Sequence, residues 1–143
     1  MGAVAIPTKL RLEIASPTRM LFSEDVDEVT VPGSEGYLGI LPGHLPLLSM
    51  LGIGVIQYRK GTEKSALAVA GGFLEVLSDR VIILADSVER PAEIDVERAR
   101  QAKERAEKRL SSKDPIEIER AMASLKRATT RIQVAEMRTS AVH

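Results

Sequence analysis

The 143 residues carry 20 basic and 20 acidic side chains, so the formal net charge is zero. With no cysteine there is neither a disulfide nor a thiolate metal site, which suits a reducing compartment. At 3% aromatic and without Trp the chain lacks the stacking platforms of a single-strand nucleic-acid binder, and a duplex binder would be far more basic.

The neutral total hides two halves. Residues 1–90 hold eight Lys/Arg against eleven Asp/Glu; residues 91–143 hold twelve against nine. All 10 glycines fall at or before Gly72. The front is thus acidic and turn-rich, the back basic and free of glycine. Residues 1–88 read as one domain and 89–143 as a linker with a helical domain. No apolar run approaches the ~20 residues that span a bilayer, so no direct membrane insertion is expected. The start Met1–Pro7 does not read as a secretory signal.

Thr8–Ala15 alternates Leu10, Leu12 and Ile14 with Lys9, Arg11 and Glu13, the pattern of a strand with one wet face. After a turn at Ser16–Thr18, Arg19–Phe22 reads as a short strand, Ser23–Asp27 as an acidic connection, and Glu28–Val31 as a strand ending at Pro32. Val31–Leu48 then combines glycines at 33, 36, 39 and 43 with three prolines. Its apolar residues Leu38, Ile40, Leu41, Leu45, Leu47 and Leu48 are dense for a loop. They either plug the end of a sandwich or face a partner, and the two roles can fall to different residues.

Gly54–Arg59 and Ser65–Ala70 read as strands around Lys60–Thr62, and Gly72–Leu77 and Arg80–Ala85 as strands around Ser78-Asp79. Val81–Leu84 is continuously apolar, which predicts burial on both faces. Short strands at close spacing predict an antiparallel β-sandwich, a flattened barrel of about ten strands.

Residues for catalysis are lacking. Only His44 and His143 exist, so a His-based triad or metal cluster is excluded, and His44 reads as a loop residue. Gly52-Ile53-Gly54 begins a dinucleotide-like pattern, but Gln57 stands where the third glycine belongs, and there is no Gly-Lys-Ser/Thr phosphate loop. The chain does not read as an enzyme.

Ser87–Glu93, with Pro91, reads as the linker. From Asp95 to Leu110 a helix is predicted, with Asp95 as N-cap and a thin seam of Val96, Ala99, Ala106 and Leu110 that Lys103 interrupts. Arg100–Glu104, Lys103–Glu107 and Glu104–Lys108 are spaced to pair one turn apart. Arg98 and Arg105 share a face, ~10 Å apart along the axis. That face is either solvated or, with Asp95, the contact for an anion such as a nucleotide phosphate. Ser111–Lys113 breaks the helix. Asp114-Pro115-Ile116-Glu117 starts a second one, whose seam is Ala121, Leu125, Ala128, Ile132 and Ala135. An alanine seam buries few methylenes, so the hairpin should be marginal. Opened into one rod, residues 95–138 would reach ~66 Å. Arg120, Lys126, Arg127, Arg131 and Arg138 either keep the second helix soluble or face the same anion, or an acidic protein surface.

Four stretches in register carry a resemblance over nearly the whole chain. They are Gly33–Leu48 (GSEGYLGILPGHLPLL), Ala70–Val76 (AGGFLEV), Val81–Val88 with Leu84-Ala85-Asp86, and Ile94–Ala99 (IDVERA). In these the chain resembles the ε subunits of bacterial F-type ATP synthases. The resemblance implies a β-sandwich with a two-helix antiparallel hairpin, in a non-catalytic subunit of the central rotor stalk. Its partners would be the γ subunit and the c-ring, at the cytoplasmic face of the bacterial plasma membrane as a peripheral component. Ser34, Glu35, Tyr37, Leu41, His44 and Leu45 would lie at the γ and c-ring contact. Tyr37 stands where some relatives carry an acidic residue, so no charge-based ring contact is carried over there. The resemblance further implies that the hairpin, when extended into the α/β catalytic hexamer, inhibits ATP hydrolysis. No cofactor is implied as required. ATP is implied as a regulatory ligand of the folded hairpin, through Ile94, Asp95, Arg98 and Ala99 and, by position, Glu89, Arg105, Arg127 and Arg131. A free-standing nucleotide sensor is the alternative from a different functional class.

Overall fold

The apolar alternation of the front half folds into seven strands that share one core. The computed structural model describes residues 5–141, with side chains as far as Met137. The strands are β1 (Leu10–Ser16), β2 (Arg19–Val26), β3 (Glu28–Gly33), β4 (Gly36–Ile40), β5 (Leu47–Lys60), β6 (Glu63–Val76) and β7 (Arg80–Glu89). A 3₁₀ turn (Pro91–Glu93) leads into α1 (Val96–Arg109) and α2 (Pro115–Ala141). The side chain of Arg138 and all of His143 lie outside the described residues.

Hydrogen bonding orders the strands β2-β1-β7-β6-β5-β3-β4. Laid flat, the outer strands of such a sheet would lie about 29 Å apart, at ~4.8 Å per step. Yet every strand sends side chains into one buried cluster, from Leu10, Leu12 and Ile14 of β1 to Ile40 of β4. The sheet must therefore fold over on itself into two layers. The closure is visible where the Phe22 ring of β2 meets that of Tyr58 on β5, centroids 5.2 Å apart. Beside it the Asp27 amide donates to the Arg59 carbonyl at 2.8 Å.

The fold-over depends on a kink that crosses three strands in step. In β6 the core-facing residues are Leu67 and Val69, then Leu74 and Val76, a change of parity. β5 changes between Leu51 and Ile56, and β7 between Ala85 and Val88. The regular pairing lapses in the row formed by Gly52, Gly71 and Asp86. Gly71 and Gly72 take φ +75° and +127°, a region that side-chain-bearing residues avoid.

Three expectations need correction. There are seven strands rather than about ten: β6 runs unbroken for 14 residues where Ser65–Ala70 and Gly72–Leu77 were expected as two, and β5 runs for 14 residues where only Gly54–Arg59 was expected. The sheet is not wholly antiparallel: β1 and β7 pair in parallel. Nor is β7 buried on both faces. It alternates, with Val81, Ile83 and Ala85 in the core and Leu84 largely exposed. The run is apolar on both faces, but only one of them is covered.

The helices form where their caps predict. Asp95 accepts from the Arg98 amide at 3.1 Å, and Asp114 from the Ile116 amide at 2.9 Å. Of the three spaced pairs on α1, only Lys103–Glu107 comes within ion-pair range among the described residues, at 4.0 Å. The seam is thin, as expected: Ala99 and Ala106 face Ala121 and Ala128, and all four are buried. Leu125, Ile132 and Ala135 are only half-buried. α2 rather than α1 carries the main contact with the sheet. There Val134, which the seam pattern omitted, packs with Val55, Ala68 and Ile94 in a small second cluster. Among the described residues that satellite, with Ala66, Val96, Ala135 and Met137 packed against it, is the apolar cluster between helix and sandwich, a few side chains at ~1.5–3 kcal/mol each.

Candidate functional site

The last turn of β7 places Glu89 opposite Ala68 and facing α2. Its Oε1 accepts from Arg131 Nε at 2.5 Å. One turn earlier on the same face of α2, Arg127 lines the same cleft and donates to Ser124 Oγ at 3.2 Å. Thr130 lies between the two arginines and is buried. Ala68, Val69, Ala70 and Ser87 complete the wall. The cleft holds ≈ 10 Å³, room for no more than a water. The Glu89–Arg131 pair closes it.

The predicted nucleotide residues divide accordingly. Glu89, Arg127 and Arg131 converge on the cleft. Ile94 packs against the sheet beside it, Ala99 is buried in the helix seam, and Asp95 is spent on the cap. Arg98 and Arg105 point to solvent and do not line the cleft. The IDVERA motif thus has local structural work to do, and its Glu97 and Arg98 side chains are left outward. Sequence reasoning missed Thr130 and Ser124, which are unremarkable helix residues until α2 docks.

It also missed a clamp on the linker. Arg19 of β2 donates to Glu93 Oε2 at 2.8 Å and to the Val88 carbonyl, while Arg90 donates to the Leu21 carbonyl at 3.1 Å and lies over the Phe22 ring. These contacts span about seventy residues of chain, so no local pattern announces them. The Arg90 amide, then Arg19, hold the Glu93 carboxyl below its ordinary 4.5, against the opposing effect of burial. A lowered carboxyl stabilises above its unfolded pKa and loses that contribution as pH falls through the folded one. Arg19→Ala should therefore lower the melting free energy at neutral pH by about 0.5–1 kcal/mol, a solvent-screened pair. The difference between the two melts should shrink as pH falls below 4.5 and through the lowered folded value, where the carboxyl takes up its proton. An Arg19→Ala deficit that persists unchanged in acid would mean that Glu93 is not its partner.

A second surface lies on the outer face of the kinked sheet. Met50 pairs with Phe73, Phe73 with Leu84, Leu84 with Ala15, and Ala15 with Met20. The row is apolar across five strands, and its four large members leave more than half of their surface exposed. At the sheet's end, the dense loop divides between the two predicted roles. Leu38, Ile40 and Leu47 join the core. Leu41, Leu45 and Leu48 stay exposed, Leu45 at 80%. Ser34 and Glu35 form an exposed turn before β4, and His44 is half-buried with Nδ1 2.6 Å from the Leu45 carbonyl. The Tyr37 ring is exposed, but its hydroxyl accepts from the Val55 amide at 3.0 Å. No helix among the described residues is long and apolar enough to cross a membrane.

Two family models match the chain, one after the other. Residues 9–91 match the beta-sandwich domain of the ATP synthase Delta/Epsilon chain, and residues 92–136 match its long alpha-helix domain. The chain belongs to the ATP synthase delta/epsilon chain family. It is accordingly an ε-type, non-catalytic stalk subunit of the complex. The ATP synthase epsilon chain of Syntrophobacter fumaroxidans is 50% identical over 129 residues, which cover 90% of this chain and 96% of that one. That of Desulforamulus reducens is 47% identical over 127 residues, 88% and 96% of the two chains. In the Euglena gracilis mitochondrial ATP synthase, solved as OSCP/F1/c-ring in rotational state 1, one chain is 25% identical with a TM-score of 0.78, covering 99% of this chain and 86% of that one. A chain of the Tetrahymena thermophila mitochondrial ATP synthase central stalk and c-ring shares the fold, at TM-score 0.63 and 13% identity over 92% and 99% of the two chains.

Proposed function

We propose that this ATP synthase ε chain links the γ subunit to the c-ring and so couples proton translocation to ATP synthesis, as a peripheral component at the cytoplasmic face of the bacterial plasma membrane. The observation that carries the reading is the uncovered apolar row Met20-Ala15-Leu84-Phe73-Met50, too continuous for a surface meant to stay wet. Its natural cover is γ. The turn bearing Ser34, Glu35, Tyr37, Leu41, His44 and Leu45 then faces the c-ring. Family membership favours this assembly over a free-standing nucleotide sensor. Reconstitution with α, β and γ tests it: stable association with γ is expected, and its absence would end the proposal.

The hairpin regulates. Held to the sandwich by one small apolar cluster and the Glu89–Arg131 pair, it detaches at modest cost. Extended into the α/β hexamer, it inhibits ATP hydrolysis. ATP opposes this by binding the docked form through Glu89, Ile94, Asp95, Arg98, Ala99, Arg105, Arg127 and Arg131. Arg131 must leave Glu89 and turn to the phosphates, since the cleft as it stands admits no nucleotide. A ligand that binds only the docked form adds RT ln(1 + [L]/Kd), about 2.7 kcal/mol at a hundredfold excess, comparable to the contact it reinforces. By calorimetry, Arg127→Ala and Arg131→Ala should each weaken ATP binding roughly ten- to a hundredfold, the loss of one charge-assisted hydrogen bond. Heats unaffected by both would remove the nucleotide site and leave the stalk role standing.

A further inference from the structure

On the other flank of α2 lies a groove of ≈ 600 Å³, within the range that holds small organic ligands. Taking Val134 as the point of contact with the sheet, Arg131 is rotated about 60° one way around the helix and Met137 about 60° the other. The groove is therefore separate from the Glu89 cleft. Three parts of the chain build it: the paired ends of β5 and β6, the linker at Arg90 and Pro91, and the turn of α2 that carries Gln133, Glu136 and Met137. Tyr58, Ala66, Leu67, Pro91 and Met137 supply an apolar lining. Gln57 closes one side, its Nε2 3.7 Å from the Met137 sulfur.

Besides the neutral Gln57, Ser65 and Gln133, the groove carries two cations and one anion. Lys64 and Arg90 stand on the wall and Glu136 on the helix side. Arg90 is held in place by the Leu21 carbonyl and the Phe22 ring. Lys64 has no ion-pair partner among the described residues. It sits in the hairpin strand directly across from Arg59, whose own guanidinium is already paired with Asp27 and Glu28. An apolar floor with a fixed guanidinium and an available ammonium selects for a flat or short-chain apolar body that ends in one anionic group.

We propose that this groove is a ligand site for an amphipathic organic anion, an aryl or short alkyl carboxylate or sulfonate, distinct from the nucleotide cleft. Its walls come from both the sandwich and α2. The site therefore exists only while the hairpin is docked, and an occupant stabilises docking by mass action, independently of ATP.

The test is an amide NMR titration of the full chain with anilinonaphthalene sulfonate, a flat apolar anion. Saturable shifts are expected at Gln57, Lys64–Leu67, Gln133 and Met137. Lys64→Glu should weaken binding about tenfold, the loss of one charge-assisted hydrogen bond. Ala66→Trp should fill the groove and abolish the shifts, while Arg127→Ala should leave them unchanged. Shifts confined to Met50, Phe73 and Leu84 would show the dye on the exposed row alone and overturn the proposal. So would binding indifferent to both Lys64→Glu and Ala66→Trp in proteins whose circular dichroism matches the parent.

Discussion

Leu84→Asp should leave the chain folded and remove most of its affinity for γ. Leu84 lies at the centre of the apolar row, flanked by Phe73 on one side and Ala15 on the other, and its side chain touches solvent rather than core. An exposed substitution of this kind moves folding stability by no more than about 0.5 kcal/mol. At an interface the same side chain is a central anchor. Replacing it with a carboxylate forfeits the buried methylenes and strands a charge, a cost of about 3 kcal/mol or more and thus roughly a hundredfold in Kd. Surface plasmon resonance against immobilised γ, with thermal melts of the same preparations, reads both quantities. Phe73→Asp should behave alike, and Glu75→Lys, two residues along the same outward face, should do far less. A Leu84→Asp chain that binds γ within threefold of the parent would mean that the row is not the γ face.

The sandwich and the hairpin were legible from period alone. β1 reads straight off Leu10, Leu12 and Ile14, and the start of α2 off Asp114-Pro115, because each of these signals is local. What stayed illegible depends on contacts between distant residues. The run Val81–Leu84 is apolar whether or not a second layer covers it, and period cannot say that the cover on one side is absent. Strand bounds failed at Gly54, read as the start of a strand that begins at Leu47, and at Gly71, left as a gap between two strands. Both glycines instead lie inside continuous strands beside the kink, and Gly54 allows Pro32 and the Tyr37 hydroxyl to approach closely. The candidate cleft divided in the same way. Arg127 and Arg131 were placed together by helical spacing, whereas Arg98 and Arg105 share a face that turns away from it. Helical spacing fixes which residues of one helix lie together, not which way the helix is rolled against the sheet.

Gly72→Ala should be the most destabilising single methyl addition in the sandwich, and a glycine series separates its two causes. Gly39 sits in β4 with open space where a Cβ would go and no unusual φ, so Gly39→Ala should change stability by no more than about 0.5 kcal/mol. Gly36 has the same open space but φ +132°, so Gly36→Ala carries conformational strain alone, about 1–3 kcal/mol. Gly72 shares that strain, at φ +127°, and adds a collision: its Cβ would stand 2.1 Å from the Leu84 carbonyl oxygen and 2.8 Å from Ala85 Cα. Both are backbone atoms of β7, so relief requires the strand to move away from β6. The total should reach about 4 kcal/mol or more, a large fraction of the 5–15 kcal/mol that holds a domain together. Denaturant unfolding of the three variants should rank them Gly39, Gly36, Gly72 in rising cost. Because the obstructing atom belongs to Leu84, the damage extends to the surface as well. A chain rescued from Gly72→Ala by low temperature should still bind γ poorly, since the row across β6 and β7 has lost its register. A Gly72→Ala protein as stable as Gly36→Ala would show that β7 can shift freely, and the kink would then be no fixed part of the docking face.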